Sequence, residues 1–439
     1  MDWIALGVCR SVGMPSVVLM TLMASVAVAA EPGERGEVRV ARLIRELGAG
    51  EFSKRQAADE QLSRIGAEGR AQLEAALASD DLEVRLRAKR LLERLKIDDL
   101  WAPGRVQVRT QQESASKILQ ALATQSGNHV HIGDPYGSFA DKKLDVDYTS
   151  SSYWQAVDDV CRQTQNRVRP HYDMHTPGIV VSAGPPGSFP RAYAGPVRAQ
   201  ITGARRMFIE ELNYEDQKAE LNHSFQFNLQ FCWEDRFRIV GYATHPELVE
   251  AVTDNQIVVS AAQPAGGGWN ATSRGLRQVT ASLKLNPVSV TARSLEKFTI
   301  KWELIAVGEP AVLEMPEPAA AKLYSQDDLA VKIESLEWQS GAKYILTINI
   351  VRDMAMPDPL EVLFQEYEIE LIDALGRPFR LQGQAHALTE RGVQFKVTYV
   401  GESPDSKPVS AKLHYPRLRA RRNLELVFRD VPLPVSKPE

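Results

Sequence analysis

Residues 127–134 read GNHVHIGD and residues 170–175 read PHYDMH, so four of the eight histidines fall in two short stretches. His129 and His131 are two apart, as are His171, Asp173 and His175. In extended backbone that spacing puts side chains on one face. Imidazoles and a carboxylate converging from neighbouring strands make a zinc or copper site, and these five residues are the candidate metal ligands. The competing reading is plainer: polar residues at period two mark the wet face of a sheet whose other face is covered. Ligand pairs on strands arise often by chance. The expectation is therefore strand decoration, with no metal and no cofactor.

Other residues invite chemistry less strongly. PRLRARRN (416–423) carries Arg417, Arg419, Arg421 and Arg422, a candidate contact for an acidic partner; a solvated strand edge or loop, where charge blocks sheet-to-sheet pairing, is the preferred reading. GGGWN (266–270) lacks the strand–loop–helix context of a phosphate loop and reads as a hairpin tip bearing Trp269, a candidate contact residue. Trp154 is a second candidate, with a core position preferred. GxSxG, HExxH and GxxxxGK[ST] are all missing, so no catalytic residue is assigned and a non-enzyme is expected. Cys9 precedes an apolar N-terminal run, and no CxxC pair exists. Cys161 and Cys232 are expected in different domains, as two isolated thiols.

The elements that must position these residues begin with that N-terminal run. SVVLMTLMASVAVAA (16–30) follows Arg10 and ends in small residues, the pattern of a secretory signal peptide cleaved near Ala29 or Ala30. It falls short of the ~20 apolar residues of a bilayer span. A periplasmic or secreted product, with no transmembrane segment after cleavage, is expected. The net charge of -4 argues against nucleic acid, whose binders carry a basic excess. A chain of 439 residues suggests several domains.

Residues 36–97 carry apolar residues at three- and four-residue spacing and read as helices. DLEVRLRA (81–88) resembles the D-x-x-V-R-x-x-A helix of HEAT-like repeats. That resemblance implies that Val84 and Ala88 pack inward and that Arg85 bonds toward a neighbouring repeat. So short a segment implies a small interaction module and not a solenoid.

Residues 105–184 read as β-α-β-β-α-β-β. Ala115, Ile118, Leu119 and Leu122 form one helical stripe; Trp154, Val157, Val160 and Cys161 form another. With SASKILQALATQSG before a strand, this unit resembles the short N-terminal (STN) domain shared by secretins and TonB-dependent receptors. The resemblance implies a bacterial envelope location and a protein partner. No secretin pore or receptor barrel follows.

GPPGSFPRAYAGP (184–196) reads as a linker. Beyond it the period becomes two: Phe225, Phe227, Leu229, Phe231 and Trp233 alternate with polar residues, as do Phe298, Ile300, Trp302 and Leu304. Cys232 falls on the less apolar face of its strand. Such strands predict β-sandwiches. VTASLKLNP (279–287) with SLEKFTIKW resembles VSAKLHYP (409–416) with NLELVFRD, and VTDNQIVVS (252–260) parallels LIDALGRPF (371–379). The duplication suggests two tandem immunoglobulin-like sandwiches, 197–308 and 323–434, joined by a linker at 309–322.

The expected fold class is multidomain α+β: an N-terminal α-helical HEAT-like module (36–97), a small β-α-β-β-α-β-β domain and two C-terminal antiparallel β-sandwiches. The expected function is non-catalytic binding or scaffolding in the bacterial envelope, through an envelope protein partner. The alternatives are an accessory component of an outer-membrane secretion or uptake system, and an envelope metalloprotein or hydrolase.

Overall fold

The computed structural model describes residues 36–133, 139–170, 178–184, 189–213, 218–262, 267–272, 275–288, 291–318, 321–326, 329–352, 366–389 and 392–434, with side chains for all but 170, 207–213, 218–224 and 352. The expected signal segment at 1–30, and His171, Asp173 and His175, lie outside the described residues. The protein is multidomain α+β, with 24% helix and 51% strand. No helix among the described residues is long and apolar enough to cross a membrane. The chain divides into two compact units, Met1–Glu93 and Arg94–Glu439.

The first unit holds α1 (Gly36–Glu46), α2 (Phe52–Ile65), α3 (Arg70–Ala76) and most of α4 (Leu82–Trp101). Val40, Leu43, Ala58, Leu62, Leu73 and Leu91 are buried, as the helical spacing requires. The Asp81 carboxylate accepts from Glu83 N (2.8 Å) and Val84 N (3.4 Å) at the start of α4, capping otherwise orphaned donors. A Cβ on Gly48 would collide with Asp81 and Val84, so this close approach needs glycine. Val84 and Ala88 are buried. Arg85 bonds locally, to the carbonyl of Ser79, six residues back in the turn before its own helix.

The second unit opens with β1 (Arg109–Ser114), α5 (Ala115–Ser126), β2 (Val130–Ile132), β3 (Lys143–Asp147), α6 (Tyr153–Thr164), β4 (Asn166–Pro170) and β5 (Ile179–Ala183). β1 pairs with β3, and β5 lies between β2 and β4. Both expected helical stripes are buried. Ser152 and Gln155 form a reciprocal capping box that fixes the start of α6.

Strands then dominate: β6 (Arg191–Ala194), β7 (Val197–Asn213), β8 (Lys218–Trp233), β9 (Arg238–Ala243), β10 (Glu247–Thr253), β11 (Trp269–Ala271), β12 (Gln278–Leu285), β13 (Ser294–Pro316), β14 (Leu323–Gln326), β15 (Leu329–Ser340), β16 (Lys343–Arg352), β17 (Glu368–Asp373), β18 (Arg380–Thr389), β19 (Gly392–Val400) and β20 (Pro408–Pro432). Three sheets run β12-β8-β7-β6, β11-β9-β13-β20-β17 (with β10 on β13) and β14-β15-β16-β19-β18. The first and second sheets enclose a core containing Phe227, Phe231, Phe298, Trp302, Leu426 and Phe428. The second and third enclose another, with Met315, Ile333, Ile348, Phe395, Leu371 and Leu413.

The tandem arrangement expected with a linker at 309–322 differs from what is observed. β13 continues through that segment to Pro316, paired with β20 along almost its whole length. Both strands serve both cores. β13 gives Phe298, Ile300 and Trp302 to the first core but Leu313 and Met315 to the second; β20 gives Leu424, Leu426 and Phe428 to the first but Ala411, Leu413 and Tyr415 to the second. Of these residues the even-numbered face one core and the odd-numbered the other, so the two cores lie on opposite faces of the ribbon; Ile305 and Val307 pack with Val240 instead. Pro310 faces Pro416, which places two missing donors at one step of the ladder and lets the strands pass through. The 184–196 linker likewise contains β6, which pairs with β7.

The internal duplication is visible in part. The turns at 251–259 and 371–379 close with matching bonds: Val259 N to Ala251 O (2.8 Å) and Phe379 N to Leu371 O (2.7 Å), Thr253 N to Ile257 O and Asp373 N to Arg377 O (both 3.0 Å). Residues 279–287 and 409–416 are not equivalent, because the first lies in β12 against β8 and the second in β20 against β13. SLEKFTIKW and NLELVFRD are cross-strand partners in one core, Ile300 facing Leu426 and Trp302 facing Leu424.

Candidate functional site

β17 alternates strictly. Ile369 and Leu371 enter the second core, so Glu368 and Glu370, with Glu366 just ahead, face the other way. Across from them the turn after β8 and the start of β9 present Arg236 and Arg238, joined by Arg277. Between these walls lies an open cleft of about 620 Å³, lined also by Glu309, His414 and Tyr415. One wall is acidic and the other basic.

The charges are already engaged with one another. Glu366 is buried and pairs with Arg238. His414 Nε2 sits 3.3 Å from Glu370 Oε2, and Lys96 Nζ 2.9 Å from Glu309 Oε1. Arg277 lies 3.4 Å from Asp235. Its pKa falls below the ordinary value because burial disfavours the charge and Arg238 repels it, with Asp235 acting in the opposite sense. The lining contains no serine, threonine or cysteine; its hydroxyl is that of Tyr415, a residue buried in the second core. The cleft thus presents both signs of charge on facing walls.

A second constellation joins the α+β segment to the first core. Asp158 on α6 receives Arg198 Nε (2.7 Å) and Nη2 (2.9 Å) from β7 and the Tyr193 hydroxyl (2.7 Å) from β6. Trp154 Nε1 donates to Pro196 O (2.9 Å). Glu234 accepts from Gly104 N (2.8 and 3.1 Å) and from Arg236 Nε (2.8 Å); burial pushes its carboxyl up, against the pull of Arg236 and those donors. Gly195 has φ +54°, and a Cβ there would strike the Trp101 carbonyl, so the chain can enter β7 here only through glycine.

This junction corrects the placement of the cysteines. Cys161 and Cys232 share one apolar cluster, both buried and both free, because α6 covers the β7–β8 face that carries Cys232. Burial first, then the Asp158 charge, pushes the Cys161 thiol up to about 12, against Arg198 and Arg191. Burial pushes Cys232 up to about 11. Neither is a reactive thiolate at neutral pH.

The sequence-predicted residues scatter. His129 lies just before β2 and His131 within it. The His129 ring Nδ1 is 3.1 Å from Asp235 Oδ2, and the His129 backbone N–H donates to the same oxygen (2.7 Å). Among the described residues no group of three or more His, Cys, Asp or Glu could hold a metal ion. Trp154 is core. Trp269 is half-buried in β11 with the Arg421 guanidinium 5.0 Å over its ring. The basic run is strand and not loop: it lies within β20, paired to β13, while the β17 pairing on the other side ends at His414, which leaves this stretch an edge among the described residues. Arg421 bonds Glu303 (2.6 Å) and Arg422 bonds Asp98 (2.7 Å), while Arg417 and Arg419 point from the same strand segment. The cleft residues were missed, although the period-two runs E-Y-E-I-E (366–370) and R-F-R (236–238) carried the signal.

Replacing His129, His131, His171 and His175 together with Gln should cost no more than about 1 kcal/mol, the scale of an exposed ion pair. Added zinc or copper should leave the melting temperature of both proteins unchanged. A rise of several degrees in wild type, absent from the variant, would restore a metal site, since a ligand held only by the folded state raises its stability.

No family model matches the chain, and no curated protein matches it. Among solved structures, the chain is similar to a conserved domain protein from Bacillus anthracis, at 9% identity over 54% of this chain and 89% of that one, with a TM-score of 0.18. A likeness at that level carries no argument about fold or function.

Proposed function

We propose that this chain is a non-catalytic, extracytoplasmic binding or scaffold protein that holds a polypeptide partner in the bacterial envelope. The observation that carries this reading is the two-walled cleft, whose acids and bases are paired with each other. A polar cleft of opposed charge selects a chain by electrostatic complementarity. The apolar run at 16–30 supports export. In this reading residues 36–97 are a HEAT-like interaction module and 105–184 an STN-like envelope domain, a reading supported by the β-α-β-β-α-β-β order of its elements. The two cores of the C-terminal half are immunoglobulin-like sandwiches that exchange their last strands.

The test is cross-linking and recovery from an envelope fraction with wild type and Glu368→Lys, which reverses charge on the acidic wall at an exposed position. A protein recovered by wild type and lost with E368K, at unchanged circular dichroism, supports the proposal. If that protein is a secretin or a TonB-dependent receptor, the accessory-component reading is selected. Turnover of any substrate in a hydrolase panel, lost with E368K, would replace binding with catalysis.

A further inference from the structure

β18 ends the third sheet and, among the described residues, pairs on one side only, with β19. Its first nine positions are all exposed, on both faces. Gln384, His386 and Leu388 lie opposite Val397, Phe395 and Val393, whose side chains enter the second core, yet the facing sheet stops short of β18. Leu381 and Leu388 are left 54% and 50% exposed. From Leu381 to Thr389 the strand carries no Asp, Glu, Lys, Arg or Pro. Long, uncharged, proline-free edges are what soluble proteins normally avoid, because a row of free backbone donors and acceptors invites another strand.

The strand is complementary to itself. A two-fold axis perpendicular to a sheet pairs positions of the same face, so the register must centre on one residue. Centred on Ala385, Ala385 meets its own copy and Gly383 meets Ala387 on the outer face. On the other face Gln384 meets His386 twice, amide against imidazole. Leu388 meets the step Leu381–Gln382, where the β18–β19 register shifts and the bulge turns Leu381 to the same face as Leu388. Small residues stack over small ones, apolar over apolar, and no like charges oppose.

We propose that β18 is a self-association edge: two copies of this chain pair antiparallel through β18 about an axis at Ala385, joining two five-stranded sheets into one. A second copy fits where a charged peptide would find nothing to read. This proposal is independent of the cleft, which β18 does not line.

Cysteine cross-linking of the full chain tests the register. Ala385→Cys places two thiols across the axis with Cβ atoms about 5 Å apart, within reach of a disulfide. Ala387→Cys leaves them ~13 Å apart at strand rise. With Cys9→Ser in every chain, mild oxidation should dimerise A385C at least about tenfold faster than A387C, and the parent not at all, since Cys161 and Cys232 are buried. Sedimentation should show wild type moving from monomer to dimer over a concentration series. Ala385→Lys should weaken that association about fivefold, the scale of opposed like charges across strands, and mixing with Ala385→Glu should restore it. Wild type that stays monomeric throughout, or A385C and A387C cross-linking at equal rates, overturns the proposal.

Discussion

Replacing Asp158 with Ala should lower stability by about 3–5 kcal/mol at neutral pH, because it strands a buried guanidinium. Arg198 is 1% exposed, and its two bonds end on the Asp158 carboxylate. Burial alone would push that carboxyl up. The Arg198 charge and bonds, with Arg191 and the Tyr193 hydroxyl, outweigh it and hold the group below the ordinary carboxylate range. The pH dependence follows from that direction. An acid whose folded pKa is depressed adds stability above its unfolded value, near ~3.9, and loses it as pH falls through the folded value. The gap between wild type and Asp158→Ala in urea denaturation should therefore be full above about pH 5 and shrink in strong acid. Replacing Asp158 and Arg198 together with apolar residues should cost less than Asp158→Ala alone, since no charge is then left unpaired. A loss from D158A within about 0.5 kcal/mol would mean that water reaches Arg198 and that α6 does not seal β7.

What the sequence made legible was periodicity, and what it hid was mutual coverage. Phe225, Phe227, Leu229 and Phe231 alternate with polar residues, and their burial followed from that alone. Cys232, Arg198 and Gln200 sit on the polar face of the same two strands, and they are buried too. Only the docking of α6 makes them so, and no local pattern in β7 or β8 announces a helix from residues 153–164. The segment at 309–322 misled for a related reason. Its prolines read as a break, yet Pro310 faces Pro416, and that pairing spans more than a hundred residues. The histidines were conspicuous by type and are held by ordinary partners. The cleft acids were inconspicuous because an alternating Glu strand reads as a wet face, which it is until Arg236, Arg238 and Arg277 stand opposite.

The shared ribbon makes Trp302 the residue whose loss should spread furthest. Its ring is fully buried, stacked on Phe231 at 3.9 Å and tilted against Tyr242 at 5.5 Å, and its Nε1 donates to Ala243 O at 3.1 Å. Trp302→Ala should cost about 3–5 kcal/mol through the cavity it leaves, with the Ala243 carbonyl losing its donor besides. Because β13 carries Trp302 in one core and Met315 in the other, the damage should not stay local. Amide hydrogen exchange in β16 and β19, whose Ile348 and Phe395 lie in the second core, reports on that core. In urea those amides should lose protection at the same midpoint as the circular dichroism of the strands, in wild type and in Trp302→Ala alike. Two separable transitions, with only one moved by the substitution, would return the two cores to independence. A fragment spanning 323–434 should stay unfolded on the same logic. It keeps the β20 strand but loses Leu313 and Met315 from its core, and β20 loses its pairing with β13, its neighbour on the side away from β17. The duplication recorded in the sequence is therefore expected to behave as one cooperative body, held by two strands that each fold only with the other.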